Sequence, residues 1–147
     1  MKKILFLIVM AICSVTAASA QISVNESTLS ATVGIGGSYG IPITLNYENA
    51  LWGINSASCV TLGGTAGFGI GDDSSYFLVG VKSMYHYAID AWDLSGGLTL
   101  GANVSGDVGL LWGVNVGASY YFNYNWAATA ELGYGISVLR LGATYRF

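Results

Sequence analysis

From residue 92 to the end of the chain, side chains alternate with a period of two, and the two faces differ in kind. Trp92, Leu94, Leu98, Leu100, Ala102 and Val104 alternate with Asp93, Ser95, Gly97, Thr99, Gly101 and Asn103. The pattern recurs as Trp112, Val114, Val116, Ala118, Tyr120 and Phe122 against Gly113, Asn115, Gly117, Ser119 and Tyr121. It returns as Trp126, Ala128, Ala130, Leu132 and Tyr134 against Ala127, Thr129, Glu131 and Gly133, and again as Leu139, Leu141, Ala143, Tyr145 and Phe147 against Arg140, Gly142, Thr144 and Arg146. A strand points successive side chains to opposite faces, so each run has one apolar face and one small or polar face. Helical spacing fits none of them as well.

Earlier segments keep the same phase with more noise. Ala31, Val33 and Ile35 form one run, and Ile41, Ile43, Leu45 and Tyr47 oppose Pro42, Thr44 and Asn46 in the next. Val60 to Ile70 opposes Cys59, Thr61 and Thr65, and Phe77, Val79, Val81, Tyr85 and Tyr87 oppose Tyr76, Lys82 and His86. Turn-forming residues fall at 36–40, 49–56, 71–75, 90, 105–107, 123–125 and 135. Eight strands are predicted, and at ~9–11 residues each they use most of the chain.

Which face is inside decides the fold class. In a soluble sandwich the small polar faces meet water; in a membrane barrel they fill the lumen and the apolar faces meet lipid. Only 9% of the residues are charged, against the quarter to a third a soluble surface wants. No segment after the first twenty residues offers 18 uninterrupted apolar residues, so a helical span has no candidate there. Direction adds a further argument. Trp92 and Trp126 begin upward strands, while Tyr47, Tyr85, Tyr87, Tyr120, Phe122, Tyr145 and Phe147 end downward ones. All nine are expected at one rim, as a periplasmic aromatic girdle. The reading is an all-β, eight-stranded, antiparallel up-and-down transmembrane β-barrel.

The N-terminus reads as an export leader. Lys2 and Lys3 precede an apolar stretch, and Ala18-Ser19-Ala20 fits the small-x-small cleavage rule. Residues 1–20 are the expected signal peptide and 21–147 the barrel domain. Lys82, Arg140 and Arg146 then remain against eight acids, a net charge of −5, which disfavours nucleic acid as a partner. Cys59 would be the sole cysteine, so no internal disulfide forms, and it reads as a packed residue.

Inward ionisable groups need partners. With 135–136 as a two-residue turn, Glu131 faces Arg140 across the lumen wall. Lys82 joins them or lies near a rim, and His86, the single histidine, lies inward near the periplasmic end. Ser119, His86 and Asp93 share a level, but no nucleophile motif accompanies them. Asp72, Asp73 and Asp107 read as solvated loop residues, and one His with one Cys makes no metal set. No catalytic, cofactor or metal residue is expected. Inward glycines fit a narrow, tightly curved barrel.

The stretches at 113–122 (Gly-Val-Asn-Val-Gly-Ala-Ser-Tyr-Tyr-Phe), 130–137 (Ala-Glu-Leu-Gly-Tyr-Gly-Ile-Ser) and 141–147 (Leu-Gly-Ala-Thr-Tyr-Arg-Phe), with Val-Gly-Val-Lys-Ser-Met-Tyr-His at 79–86, carry a resemblance. Together they are similar to the small outer-membrane β-barrel proteins of Bacteroidota, the porin-family or β-barrel-domain group, over residues 58–147. The resemblance implies the fold, a bacterial outer-membrane location and no defined activity. The final Phe147, with Tyr145, Leu141 and Leu139 in phase, also resembles the C-terminal signal read by the barrel-insertion machinery. The expected function is a non-enzymatic structural or envelope protein embedded in outer-membrane lipid, its bore filled by side chains. A passive porin-like channel for very small solutes is the alternative.

Overall fold

The computed structural model describes residues 19–37, 40–70, 75–105 and 108–147. Residues 1–18, most of the expected leader, and the acids Asp72, Asp73 and Asp107 lie outside that set. Eight strands follow in order: β1 (Ser27–Ile35), β2 (Ile41–Asn55), β3 (Ser58–Ile70), β4 (Ser75–Ile89), β5 (Trp92–Asn103), β6 (Gly109–Tyr121), β7 (Trp126–Tyr134) and β8 (Leu139–Arg146). Each pairs antiparallel with its sequence neighbours, and β8 pairs with β1 to close the sheet. Closure gives every strand a neighbour on both sides, as a bilayer that cannot satisfy an open sheet edge requires.

The register fixes the tilt. Stepping between facing residues from Tyr120 leads through Ala128, Ala143, Ala31, Leu45, Ala66, Val79 and Ala102 to Leu110. One circuit therefore returns to β6 ten residues from its start. Ten residues of rise against eight strand spacings incline the strands by about 40° and give a backbone diameter of about 16 Å. Such a wall bends sharply, and two inward glycines show how it does so. A Cβ on Gly63 would run into the Tyr47 carbonyl, and one on Gly142 into the Ala31 carbonyl.

The faces sort by polarity in reverse of a soluble protein. Leu98, Leu100, Val114, Val116, Leu132 and Leu141 are exposed on the outside, while Thr99, Asn115, Glu131 and Arg140 are buried within. The rim is uneven as well. β6 outreaches β7, whose ladder with it begins at Val114 and Tyr134, so 109–113 have no strand beside them on that side among the described residues.

The structure corrects one connection. Residues 49–56 look like a loop in the sequence, yet β2 runs on to Asn55 and the turn to β3 is only Ser56 and Ala57. Two register irregularities, between Ala50 and Trp52 and between Gly53 and Asn55, shift the phase and hide the strand. β1 also starts earlier than its alternation suggests, at Ser27.

Candidate functional site: the charged bore

The inward positions of β2, β4, β5, β7 and β8 bring six ionisable side chains into one alternating ladder. At its foot Asp93 Oδ2 lies 2.8 Å from His86 Nδ1, and His86 Nε2 lies 3.2 Å from Glu48 Oε2. Glu48 Oε1 meets Lys82 Nζ at 3.2 Å, and Lys82 reaches Glu131 Oε1 at 2.9 Å. Glu131 Oε2 then meets Arg140 Nη2 at 2.6 Å. Arg140 Nη2 also donates to Asn115 Oδ1 at 2.7 Å, and Asn115 Nδ2 to Thr99 Oγ1 at 2.8 Å. Since both ring nitrogens of His86 face carboxylates, both donate, which is the arrangement of an imidazolium. Three acids then balance three bases.

This ladder crosses the barrel rather than lining one wall. Lys82 on β4 and Glu131 on β7 come from opposite sides and meet in the middle. A second bonded row fills the neighbouring wall: Ser30 with Thr144 (2.8 Å), Thr144 with Thr129 (2.7 Å) and Thr129 with Ser119 (2.9 Å). Between them remains a cavity of about 10 Å³, the room of one water molecule, onto which Glu48, His86, Asp93 and Glu131 face. Asp93 Oδ1 has no hydrogen-bond partner in this arrangement. At the end where β1 finishes, Leu78, Leu111 and Ile136 form an apolar stopper.

The end where β1 begins is closed by the chain leading into β1. Ala20 is buried against Tyr121 and Ala127, and Ile22 against Ala50 and Cys59. Arg146 holds this segment, donating from Nη1 to the Gln21 carbonyl (2.7 Å) and from Nη2 to those of Ser19 (3.0 Å) and Tyr124 (2.6 Å). Its guanidinium lies 4.5 Å from the ring centres of both Tyr121 and Tyr124. Tyr124 Oη donates to Glu26 Oε1 at 2.7 Å, which raises that phenol above its ordinary pKa.

Among the residues singled out from sequence, Lys82, His86, Glu131 and Arg140 all lie in the ladder. Glu48, which links its two halves, was not among them. Its signal was present, because Pro42, Thr44, Asn46 and Glu48 continue one inward phase. Of the nine girdle aromatics, Tyr47, Tyr85, Tyr87, Trp92, Trp126 and Phe147 are exposed, and Tyr120, Phe122 and Tyr145 are half-buried. Trp92 packs on Tyr120 at 5.0 Å and Trp126 on Tyr145 at 4.9 Å, which covers those tyrosines. Sequence reasoning left out a second belt at the opposite rim. There Trp112 packs on Tyr134 at 5.4 Å, and Phe68 faces Phe77 across the β3–β4 ladder. Trp112 and Tyr120 are eight residues apart on β6, as are Trp126 and Tyr134 on β7, so the belts stand about 20 Å apart along the axis.

Nucleophilic chemistry finds little to work with. Ser119 Oγ bonds Thr129, while both nitrogens of His86 are engaged by acids. Cys59 is a buried free thiol. Among the described residues no group of three or more His, Cys, Asp or Glu is placed to hold a metal.

No family model matches the chain, and neither does any curated protein sequence. Solved structures do. A de novo designed transmembrane β-barrel superposes with a TM-score of 0.63 at 16% identity, over 86% of this chain and 99% of the design. The N-terminal β-barrel domain of Pseudomonas aeruginosa OprF superposes with a TM-score of 0.54 at 18% identity, over 84% of this chain and 98% of that one. The chain has the fold of these transmembrane barrels.

Proposed function

We propose that this protein is an integral outer-membrane β-barrel with a structural or envelope role and a bore that does not conduct. One observation carries the reading: an exposed apolar band, bounded by an aromatic belt at each rim, surrounds a core in which the ionisable groups are buried. A bilayer is the solvent in which that inversion is stable. The rim bearing Trp92, Trp126 and Phe147 is assigned to the periplasm, residues 1–20 to a cleaved leader, and the β8 end to recognition by the insertion machinery. Placement among the Bacteroidota barrels rests on the segments at 79–86, 113–122, 130–137 and 141–147. The role is non-enzymatic, as His86 has no free nitrogen to act as a base.

The channel reading is the weaker one because Lys82 and Glu131 bridge the bore. Fractionation with a gel comparison of unheated and boiled protein tests the location, and planar-bilayer recording tests the bore. The expected results are outer-membrane recovery, a mobility shift on boiling and no steady current. Recovery in the soluble fraction without a shift would overturn the barrel in the membrane; reproducible unit currents would put the channel first.

A further inference from the structure

The closure at the β1 entrance is built differently from the rest of the bore. Elsewhere the filling side chains belong to strands locked in the ladder, Ile136 of the β7–β8 turn excepted. Here a segment outside the sheet does the work, touching the barrel at few points. Ile22 is its one large buried side chain beyond residue 20, while Gln21, Ser23 and Val24 are exposed. Asn25 N donates to the Ala50 carbonyl, and Ala50 N donates to that of Glu26. The Arg146 guanidinium on the Gln21 carbonyl, the Tyr124 hydroxyl on Glu26 and the Asn49 amide on the carbonyls of Asn25 and Glu26 add to the hold.

We propose that residues 21–26 are a detachable plug, latched by Arg146, whose release opens the lower bore to the aqueous side while all eight strands stay paired. Arg146 sits near the end of β8, facing Thr28 of β1, so the latch is assembled only after the sheet has closed. The plug therefore seats last. Ile22 packs on Cys59 and Ala50 and itself lines the cavity onto which Glu48, His86 and Asp93 face. Release creates a blind polar pocket, stopped above by the Lys82–Glu131 bridge. A leader cut after Ala20 keeps Gln21 and Ile22 in the plug. The cut precedes docking, because Ala20 is fully buried once seated.

Cys59 reports the plug directly. Full-length protein, exported and folded into lipid vesicles, is treated with a small water-soluble maleimide, and modification is read on the peptide bearing Cys59. Two variants loosen the plug: Arg146→Gln removes the latch, and Ile22→Asp puts a charge under the plug without altering any strand. Losing the charge-assisted hydrogen bond to the Gln21 carbonyl, or burying a charge in place of Ile22, raises the open population, and so the labelling rate, roughly ten- to a hundredfold. A Cys59→Ser, Thr99→Cys background places a thiol at mid-bore that reacts only when the barrel unfolds. The expected result is faster labelling at Cys59 in both variants, with the mid-bore thiol still protected. Wild-type labelling rates at Cys59 in folded variants would overturn the plug, and acceleration of both thiols together would overturn its independence from the barrel.

Discussion

Glu131 is the residue on which the bore depends most, and Glu131→Gln tests that with almost no change in shape. Its two oxygens meet Lys82 at 2.9 Å and Arg140 at 2.6 Å, all three side chains being almost wholly buried. At an effective dielectric constant near 20 each contact carries about 6 kcal/mol of gross attraction. Removing the charge also recovers several kcal/mol of carboxylate desolvation, so the gross figure overstates the loss. Lys82 keeps Glu48, but Arg140 keeps only the neutral Asn115, and the bore is left with three bases against two acids. The net cost is about 3–5 kcal/mol, the range for breaking a buried pair from one side. Reversible denaturant unfolding in lipid vesicles, followed by tryptophan emission and gel mobility, measures it. Arg140→Met added to Glu131→Gln should recover part of that loss by restoring neutrality. A single-variant cost below about 0.5 kcal/mol, or strictly additive costs in the double-mutant cycle, would refute the ladder as a coupled unit.

Charge on the outer band should hurt in its own way: Leu100→Arg or Val116→Arg should each cost ~2–4 kcal/mol by the same unfolding measurement, and a neutral result would mean the faces are inverted. Gly142→Ala pushes a methyl toward the Ala31 carbonyl at the β1–β8 seam, so it should destabilise by roughly 1–3 kcal/mol, checked by the boiling temperature needed for the gel shift. Deleting 138–147 removes the strand that closes the sheet onto β1, and pulse-expressed protein should then fail to accumulate in the outer membrane. Removing Phe147 alone should only reduce the rate of accumulation.

The strands were legible because a barrel imposes the plainest of patterns. Wherever one wall faces hydrocarbon and the other a packed polar core, residue type tends to switch at every step, and β5, β7 and β8 show it most clearly. Inward Leu78 and Met84 and outward Ser83 blur it in β4, and inward Leu111 in β6. The pairing of Glu131 with Arg140 follows from the same logic once the turn at Gly135 sets the register. What escaped did so where the period breaks. Glu48 sits one step past Asn46 in the inward phase, but Asn49 and Gly53 beside it read as a loop. The bulges there explain why a strand could look like a turn. The segment at 21–26 has no period, since it packs by a single side chain and is held by backbone carbonyls, which carry no sequence signature. Arg146 likewise gave no sign that its partners would be main-chain oxygens of the N-terminal segment. The second belt was within reach: Trp112, Tyr134, Phe68 and Phe77 all lie toward the far rim by the directional argument that gathered the first.

The overhang of β6 beyond β7 exposes a run of backbone with Leu110 beside it, the kind of edge on which sheets zip together. Tilt disarms it. Two copies standing upright in one bilayer and related by a two-fold axis along the membrane normal would cross their β6 strands at about twice the strand inclination, or about 80°. Strands so crossed cannot share a ladder of hydrogen bonds, whereas chains tumbling in water meet no such constraint. The membrane thus protects the barrel from its own copies by orientation alone, and the hazardous interval is the one before insertion.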